Sequence, residues 1–228
     1  RYLFNSVIST MAVMLLSVLI TAMAAYCMSK KKYKLKNILF GINEAALMFV
    51  SAAVAIPRYI IMSKLGFTDT VWAQIIPLLA LPVGLYLVKQ FIDELPDEMI
   101  EAARIDGAGD FMILRKIVIP NISPALATVA ILAFQSAWGS VEASNYFTNK
   151  EALKTFAFYL MTLSNQAGAS NLANANNLVG TTGILGNSAV AGLGMQAAAT
   201  LIMFVPNLVL FIVLQSRVMN TMSHSGMK

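Results

Sequence analysis

The sequence has 228 residues, of which 58% are hydrophobic and 12% are charged, and its mean hydropathy is +0.70. A soluble domain of this length cannot hide so much apolar surface, so the composition excludes that class and indicates a membrane protein. The net charge of +5 arises from Lys and Arg residues that cluster beside apolar segments. A nucleic-acid-binding protein would instead carry them along one soluble face, so no nucleic-acid partner is expected.

The residue types that build disulfides and metal sites are nearly missing from the sequence. Cys27 is the only cysteine and His224 the only histidine, which excludes an internal disulfide and a multi-thiolate or two-histidine metal site. The 14 methionines are scattered and predict adaptable packing rather than a metal-conducting stripe. We expect neither a bound metal nor a catalytic residue in this chain.

Five stretches are apolar enough to cross a bilayer core, which needs about 20 such residues per helix. They are residues 7–28, 38–57, 71–91, 122–139 and 190–215. Such runs form helices, because unpaired backbone groups cannot remain in hydrocarbon. The sequence predicts an all-α, polytopic protein with five transmembrane helices in one domain over 1–228, and proline kinks at Pro77, Pro82 and Pro206.

Lysine and arginine residues predict how these helices are oriented, because short cytoplasmic loops are enriched in them. Five lysines follow the first stretch, and Arg104, Arg115 and Lys116 lie between the third and fourth. These loops and the tail over 216–228 should face the cytoplasm, while 142–189 should be extracytoplasmic. The N-terminus then lies outside, and a further helix before Arg1 would place the true N-terminus inside.

The extracytoplasmic segment 142–189 contains two parts that differ in composition. Residues 152–164 are amphipathic and predict a helix lying at the membrane interface. Residues 168–187 are rich in Gly, Asn, Thr and Ser and predict a flexible polar stretch. Such a stretch either reaches a partner or a sugar, or serves as a mobile connector.

The loop over 93–120 is the most charged part of the sequence and predicts two short helices joined by a turn. The first helix should start near Leu95 with Pro96 in its first turn, and end at Gly107, which accepts a left-handed conformation. Asp110 can cap the second helix, which should stop at Pro120. The result is a helical hairpin projecting into the cytosol.

One face of the first helix carries Met99, Ala102 and Ala103, and the small side chains of the two alanines allow close approach to a groove on a partner. Glu101 can pair with Arg104 three residues later. The hairpin is therefore either a docking element or a loop that only joins two membrane helices.

The spacing of residues in this loop resembles the EAA signature of permease subunits in binding-protein-dependent ABC importers. The matching residues are Glu101, Ala102, Ala103, Gly107, Ile117, Ile119 and Pro120, with Ile119 where the family commonly has Leu. The runs EAARIDGA and IVIPNISPALATV, Asn5-Ser6, Ala24-Ala25-Tyr26 and the tail 219–228 are similar to the carbohydrate branch of this family, in particular to the maltose-type second permease.

This resemblance implies a six-helix layout whose first helix precedes Arg1, and import of a sugar or oligosaccharide across the cell membrane. It also implies three protein partners: a dimer of ATP-binding subunits that holds ATP and Mg²⁺, a second permease, and an extracytoplasmic solute-binding protein. Residues 168–187 would reach the solute-binding protein, and 223–228 the ATP-binding subunit. The implied coupling residues are Glu101, Ala102, Ala103, Arg104, Asp106, Gly107, Ile117 and Pro120.

Polar side chains within the apolar stretches are candidates for the solute path. Glu44 lies about 12 Å inward from Lys36 at the helical rise, and either lines the path or, as we favour, pairs with a neighbouring helix. Gln135, Ser136 and Glu142 are further candidates, because sugar hydroxyls need hydrogen-bonding groups.

Three other functions remain as alternatives to sugar import. A permease for a non-sugar solute would share the apolar stretches and the EAA signature. An intramembrane enzyme would need a nucleophile and a base facing each other, and an ion channel would need a selectivity filter or a ring of charges. The sequence offers neither constellation, and it has no glycine-rich segment for binding ATP.

Overall fold

The computed structural model describes residues 1–49, 51–176, 194, 196–213 and 215, and every regular element among them is helical. The predicted all-α class is confirmed. The helices are α1 (Tyr2–Lys30), α2 (Lys36–Leu47), α3 (Ala55–Lys64), α4 (Trp72–Leu79), α5 (Pro82–Asp93), α6 (Asp97–Ile105), α7 (Asp110–Ile113), α8 (Ile119–Asn121), α9 (Ser123–Trp138), α10 (Phe156–Asn176) and α11 (Gln196–Val213).

Two of these helices, α1 with 29 residues and α11 with 18, are long and apolar enough to cross a membrane. Two further spans result if α4 with α5, bent by 45°, and 110–121 with α9, bent by 84°, each count as one. These elements correspond to the first, third, fourth and fifth predicted stretches. Within the described residues the prediction of five spans is therefore matched by four at most.

The prediction of a continuous helix over 38–57 was wrong. α2 ends at Leu47, a short 3₁₀ turn covers Ser51–Val54, and α3 starts at Ala55. A helix continuing from α2 would set the Pro57 ring against the carbonyl of residue 53. In the first turn of α3, by contrast, the N–H that Pro57 lacks would have no helical partner. Hydropathy measures composition and does not register this restriction.

The central helix of the bundle is α1, which packs against α4, α5 and α9. Its buried face consists mainly of small and hydroxyl-bearing residues, namely Ser6, Ser9, Thr10, Val13, Ser17, Thr21, Ala22, Ala25 and Tyr26. Small side chains let helices approach closely in a membrane, where packing and hydrogen bonds replace apolar burial as the driving force. Large apolar residues such as Leu15 and Leu19 are exposed on its other side.

The break between α4 and α5 follows from Pro82, which starts α5 and has no N–H to bond the carbonyl of Leu78. The Ser17 hydroxyl of α1 donates instead to the carbonyls of Leu79 (3.2 Å) and Leu78 (3.4 Å). A neighbouring helix thus satisfies backbone groups that the break leaves unpaired. The proline kink predicted at this position is confirmed.

The segment after α9 is more regular than predicted. A π turn covers Ala143–Phe147, and α10 begins at Phe156 rather than at residue 152. Residues 168–176 belong to α10, so the prediction of a flexible stretch was wrong for this part. The remainder of that stretch up to 187, and the predicted tail over 216–228, lie outside the described residues.

Candidate functional site

The hairpin predicted between the third and fourth stretches is present, and its first helix is α6. Pro96 precedes this helix, and Asp97 and Glu98 occupy its first turn, where negative charge favours the positive end of the helix dipole. After α6, Gly107 has a φ of +80°, and its N–H bonds the carbonyl of Arg104 at 3.0 Å. The Ala108 N–H bonds the carbonyl of Ala103 at 2.9 Å, which completes a glycine-dependent helix end.

The hairpin has an anchored side and an exposed side. Ile100 is only 3% exposed and packs in the apolar core with Ile113, Leu114 and Val118. These three residues belong to the second helical segment of the hairpin, which we call its second arm. We call the exposed residues at the end of α6 and in the turn after it the tip, namely Glu101, Ala102, Arg104, Ile105, Asp106 and Gly107. The tip leaves the apolar side chain of Ile105 86% exposed.

The sequence pattern did not single out Ile105, nor Phe111, which is 70% exposed beside the tip. Ala103, in contrast, is half-buried and packs against the core, so only Ala102 of the alanine pair lies on the exposed surface. The spacing of the two isoleucines does contain a signal. Residues five positions apart lie on different sides of a helix, so if Ile100 is buried, Ile105 cannot be buried on the same face.

Two predicted interactions within the hairpin were wrong. Arg104 lies 3.9 Å from the carboxylate of Asp110, and no ion pair joins it to Glu101 among the described residues. Asp110 does not cap the second arm, because Gly109 precedes α7 and no side-chain cap bond forms. The Asp110 carboxylate instead lies 2.5 Å from the Lys31 ammonium at the end of α1.

The second arm continues past the predicted stop at Pro120. It consists of α7, a π turn over Leu114–Val118, and α8, which contains Pro120 and ends at Asn121 before the bend to α9. Pro120 lies inside this continuous helical arm, just after the π turn, and cannot donate the backbone hydrogen bond that another residue would supply there. Ile117 is half-buried against the core, so Ile117 and Pro120 belong to the arm and not to the tip.

A second candidate site is a cavity of about 900 Å³ between α2, α3, α4, α5 and α9. Three of the predicted path residues, Gln135, Ser136 and Glu142, line it together. Arg58 also lines it and donates to the Glu142 carboxylate at 2.8 Å. Arg58 was not among the predicted path residues, although an ionisable residue at the edge of an apolar stretch is a general signal for function.

The broken helix contributes to this cavity, since Ala80, Leu81 and Pro82 line it. A helix break at membrane depth exposes backbone groups that can bind a polar solute. The lining of the cavity therefore combines the amide of Gln135, the hydroxyl of Ser136, the Arg58–Glu142 ion pair and the backbone at the break between α4 and α5.

Glu44 does not line this cavity. It is exposed on α2 and forms no ion pair with any residue in the described ranges. Its neighbour Asn43 makes the contact between helices, donating from its side-chain amide to the carbonyl of Pro82 at 3.2 Å. The favoured pairing of Glu44 with a neighbouring helix is thus not observed.

At the end of the bundle opposite the hairpin, Asp69 connects two loops. It has a φ of +57°, and its carboxylate accepts hydrogen bonds from the backbone N–H groups of Asn149 (2.5 Å) and Lys150 (3.2 Å). Its own N–H bonds the carbonyl of Phe147 at 2.9 Å. The hydrogen bond from Asn149 holds the pKa of Asp69 below its ordinary value, because it stabilises the charged carboxylate.

We expect an Asp69→Asn variant to be less stable than the parent at pH 7, because it keeps a carbonyl acceptor but loses the charge. Since the pKa of Asp69 is lowered in the folded protein, its stabilising contribution is complete above the unfolded-state pKa of about 4 and is lost as the pH falls through the folded-state pKa. Thermal unfolding in detergent from pH 7 to pH 3 measures this. A difference between the two proteins that stays constant with pH would contradict the expectation.

Comparisons with known proteins match most of the chain to one family. Residues 6–216 match the family described as "Binding-protein-dependent transport system inner membrane component". The chain is 32% identical to the arabinooligosaccharides transport system permease protein AraQ of Halalkalibacterium halodurans, over 60% of this chain and 49% of AraQ. It is 26% identical to the trehalose transport system permease protein SugB of Mycobacterium tuberculosis, over 99% of this chain and 76% of SugB.

The fold also has a counterpart among solved structures. A crystal structure of a bacterial ABC transporter involved in the import of the acidic polysaccharide alginate superposes with a TM-score of 0.74, at 23% identity, over 94% of this chain and 73% of that chain. At this identity the likeness concerns the fold alone. The chain spans about half the length of AraQ, the first of the two relatives above.

Proposed function

Because the chain belongs to the family of binding-protein-dependent transport system inner membrane components, we propose that it is the permease subunit of an ABC importer that moves a sugar or oligosaccharide into the cell. The observation that carries this proposal is the tip of the hairpin, which exposes Ala102, Ile105 and Gly107 on a rigid, core-anchored support. Such a surface suits docking into a cleft of a separate ATP-binding subunit.

The tip is suited to transmitting force because its anchor is apolar and buried. Ile100 and Ile113 join the two arms to the ends of α1 and α5 in one core cluster. Close-packed interiors deform little, so displacement of the tip moves the attached helices with it. ATP and Mg²⁺ would be bound by the partner dimer, and a second permease and an extracytoplasmic solute-binding protein would complete the assembly.

The proposed solute path runs through the cavity lined by Gln135, Ser136, Arg58 and Glu142. Amide and hydroxyl groups exchange hydrogen bonds with sugar hydroxyls, and the ion pair leaves the wall without net charge. This chemistry fits a neutral saccharide. The saccharides in the names of AraQ and SugB support that class for this chain.

The proposal is tested by reconstituting the chain with its ATP-binding, second permease and solute-binding partners in lipid vesicles. The probes are labelled trehalose, arabinotriose, and the acidic trisaccharide of alginate. We expect ATP-dependent uptake of a neutral saccharide. Hydrolysis of ATP without uptake of any neutral saccharide would overturn the assignment of the solute class.

The cavity is tested by a Ser136→Trp variant, because an indole would fill part of the space at the polar wall. We expect uptake to fall by roughly tenfold or more while basal ATP hydrolysis persists, since the tip is untouched. Ser63→Trp, at an exposed serine on α3 outside the cavity, is the matched control and should transport normally. Equal transport by both variants would place the path elsewhere.

A further inference from the structure

Three consecutive residues at the end of α1, Ser29, Lys30 and Lys31, contact acidic residues at or near the hairpin. We call them the clasp. The Ser29 hydroxyl donates to Asp93 at the end of α5 at 2.5 Å. Lys31 binds Asp110 at the start of α7, also at 2.5 Å. Ser29 thus contacts the segment that leads into the hairpin, and Lys31 contacts the second arm. Lys30 contacts the first arm, as described next.

Lys30 is the most embedded member of the clasp, since its side chain is only 8% exposed. Its ammonium donates to the carboxylate of Asp97 at 2.7 Å and to the carbonyl of Leu95 at 2.6 Å. Asp97 is the first residue of α6 and Leu95 lies two residues before it, so Lys30 fixes the position from which the tip projects. The hydrogen bond from Lys30 also holds the pKa of Asp97 below its ordinary value.

Beneath the clasp, apolar contacts join the same elements. Ala22, Ala25 and Tyr26 of α1 are buried in one cluster with Ile100 of α6 and Ile113 of α7. A polar clasp at the rim and an apolar core below it resist both sliding and rotation of α1 against the hairpin.

The other half of α1 leads to the cavity. Ser17 bonds the carbonyls of Leu78 and Leu79 at the break between α4 and α5, and Leu78 lines the cavity. A continuous set of contacts thus connects the tip, through the clasp and α1, to the wall of the proposed solute path.

We propose that Ser29, Lys30 and Lys31 are positioning residues that make α1 move with the hairpin, so that displacement of the tip reaches the cavity. This inference rests on the proposed function, because it assumes that a partner displaces the tip. The clasp acts through the hairpin and through α1 and touches neither solute nor nucleotide.

The experiment measures solute imported per ATP hydrolysed by the complete reconstituted complex, with the saccharide that the parent transports. We expect Lys30→Gln and Lys31→Glu each to lower this ratio by roughly fivefold, while the ATP-binding subunit still co-purifies. Lys30→Arg keeps a cationic donor and should retain most of the ratio. Lys34→Glu is the matched control, because Lys34 is exposed in the same lysine cluster and forms no ion pair with a described residue.

A charge exchange separates transmission from a general effect of charge. The double variant Lys31→Glu with Asp110→Lys rebuilds the pair in reverse, and we expect it to recover the ratio that Lys31→Glu loses. Failure to recover, an unchanged ratio in both single variants, or loss of the ATP-binding subunit from the complex would each overturn the inference. None of these outcomes affects the proposed function, which fails only if the parental complex does not import saccharide.

Discussion

A Gly107→Trp variant should reach the membrane and fold, yet lose saccharide import when assembled with its partners. No atom of the part of the chain that the structure describes lies within 4 Å of a Cβ built on Gly107, so the indole projects outward from the tip without disturbing the core. It would, however, occupy the surface proposed to enter the partner's cleft. Blocking a central contact of this kind typically costs at least about 2 kcal/mol, which corresponds to a loss of roughly 30-fold.

The backbone of Gly107 adds a second effect that has to be separated from bulk. At a φ of +80°, a residue with a Cβ costs about 1–2 kcal/mol, but Asn tolerates this region better than most residues. Gly107→Asn is therefore the control, and it should keep most of the import. Uptake at the parental rate by Gly107→Trp, measured with equal amounts of protein in the vesicles, would show that the tip does not couple transport to ATP hydrolysis.

A Gly84→Leu variant should be strongly destabilised, for a reason unrelated to partners. A Cβ on Gly84 would lie 2.9 Å from the Leu81 Cδ2 atom and 3.2 Å from the Val129 Cγ2 atom. Gly84 thus sets the close approach of α5 to α9, in line with the buried Val88 and Ile92 on the same face. Overpacking there costs about 2–3 kcal/mol, or a fall of about 5–10 °C in the unfolding temperature.

Gly41→Leu provides the matched control for this prediction. Gly41 also lies inside a helix, α2, but no neighbouring atom among the described residues lies within 4 Å of a Cβ at that position. Because Leu favours a helix over Gly, this variant should unfold at the parental temperature or slightly above it. Thermal unfolding in detergent compares the two, and equal midpoints would contradict the close approach of α5 and α9.

Local chemistry explains which parts of this fold were predictable. The long apolar run of α1 lacks Gly and Pro, and its helix follows from composition alone. Pro96 and Gly107 act on their own backbone, so both boundaries of α6 were predicted to within about two residues. The break at Pro82 follows in the same way.

The wrong predictions arise where a side chain makes its contact with a residue that is distant in the sequence. Asp110 is a good helix cap in isolation, but Lys31 takes its carboxylate, and a single sequence does not reveal that the end of α1 lies beside the hairpin. The Arg58–Glu142 pair joins positions 84 residues apart, and only the packing of α3 against the segment after α9 brings them together. Glu44 was selected for its depth alone, whereas the neighbouring amide makes the contact.

The π turn over Leu114–Val118 has a consequence for how the tip is aimed. A π turn is equivalent to one extra residue in an α-helix, and each residue turns a helix by about 100°. The direction in which the tip projects relative to α8 therefore depends on the number of residues in the π turn and not on the chemistry of their side chains. A single residue gained or lost in this turn would rotate the preceding part of the arm by about 100° and change the direction in which the tip projects.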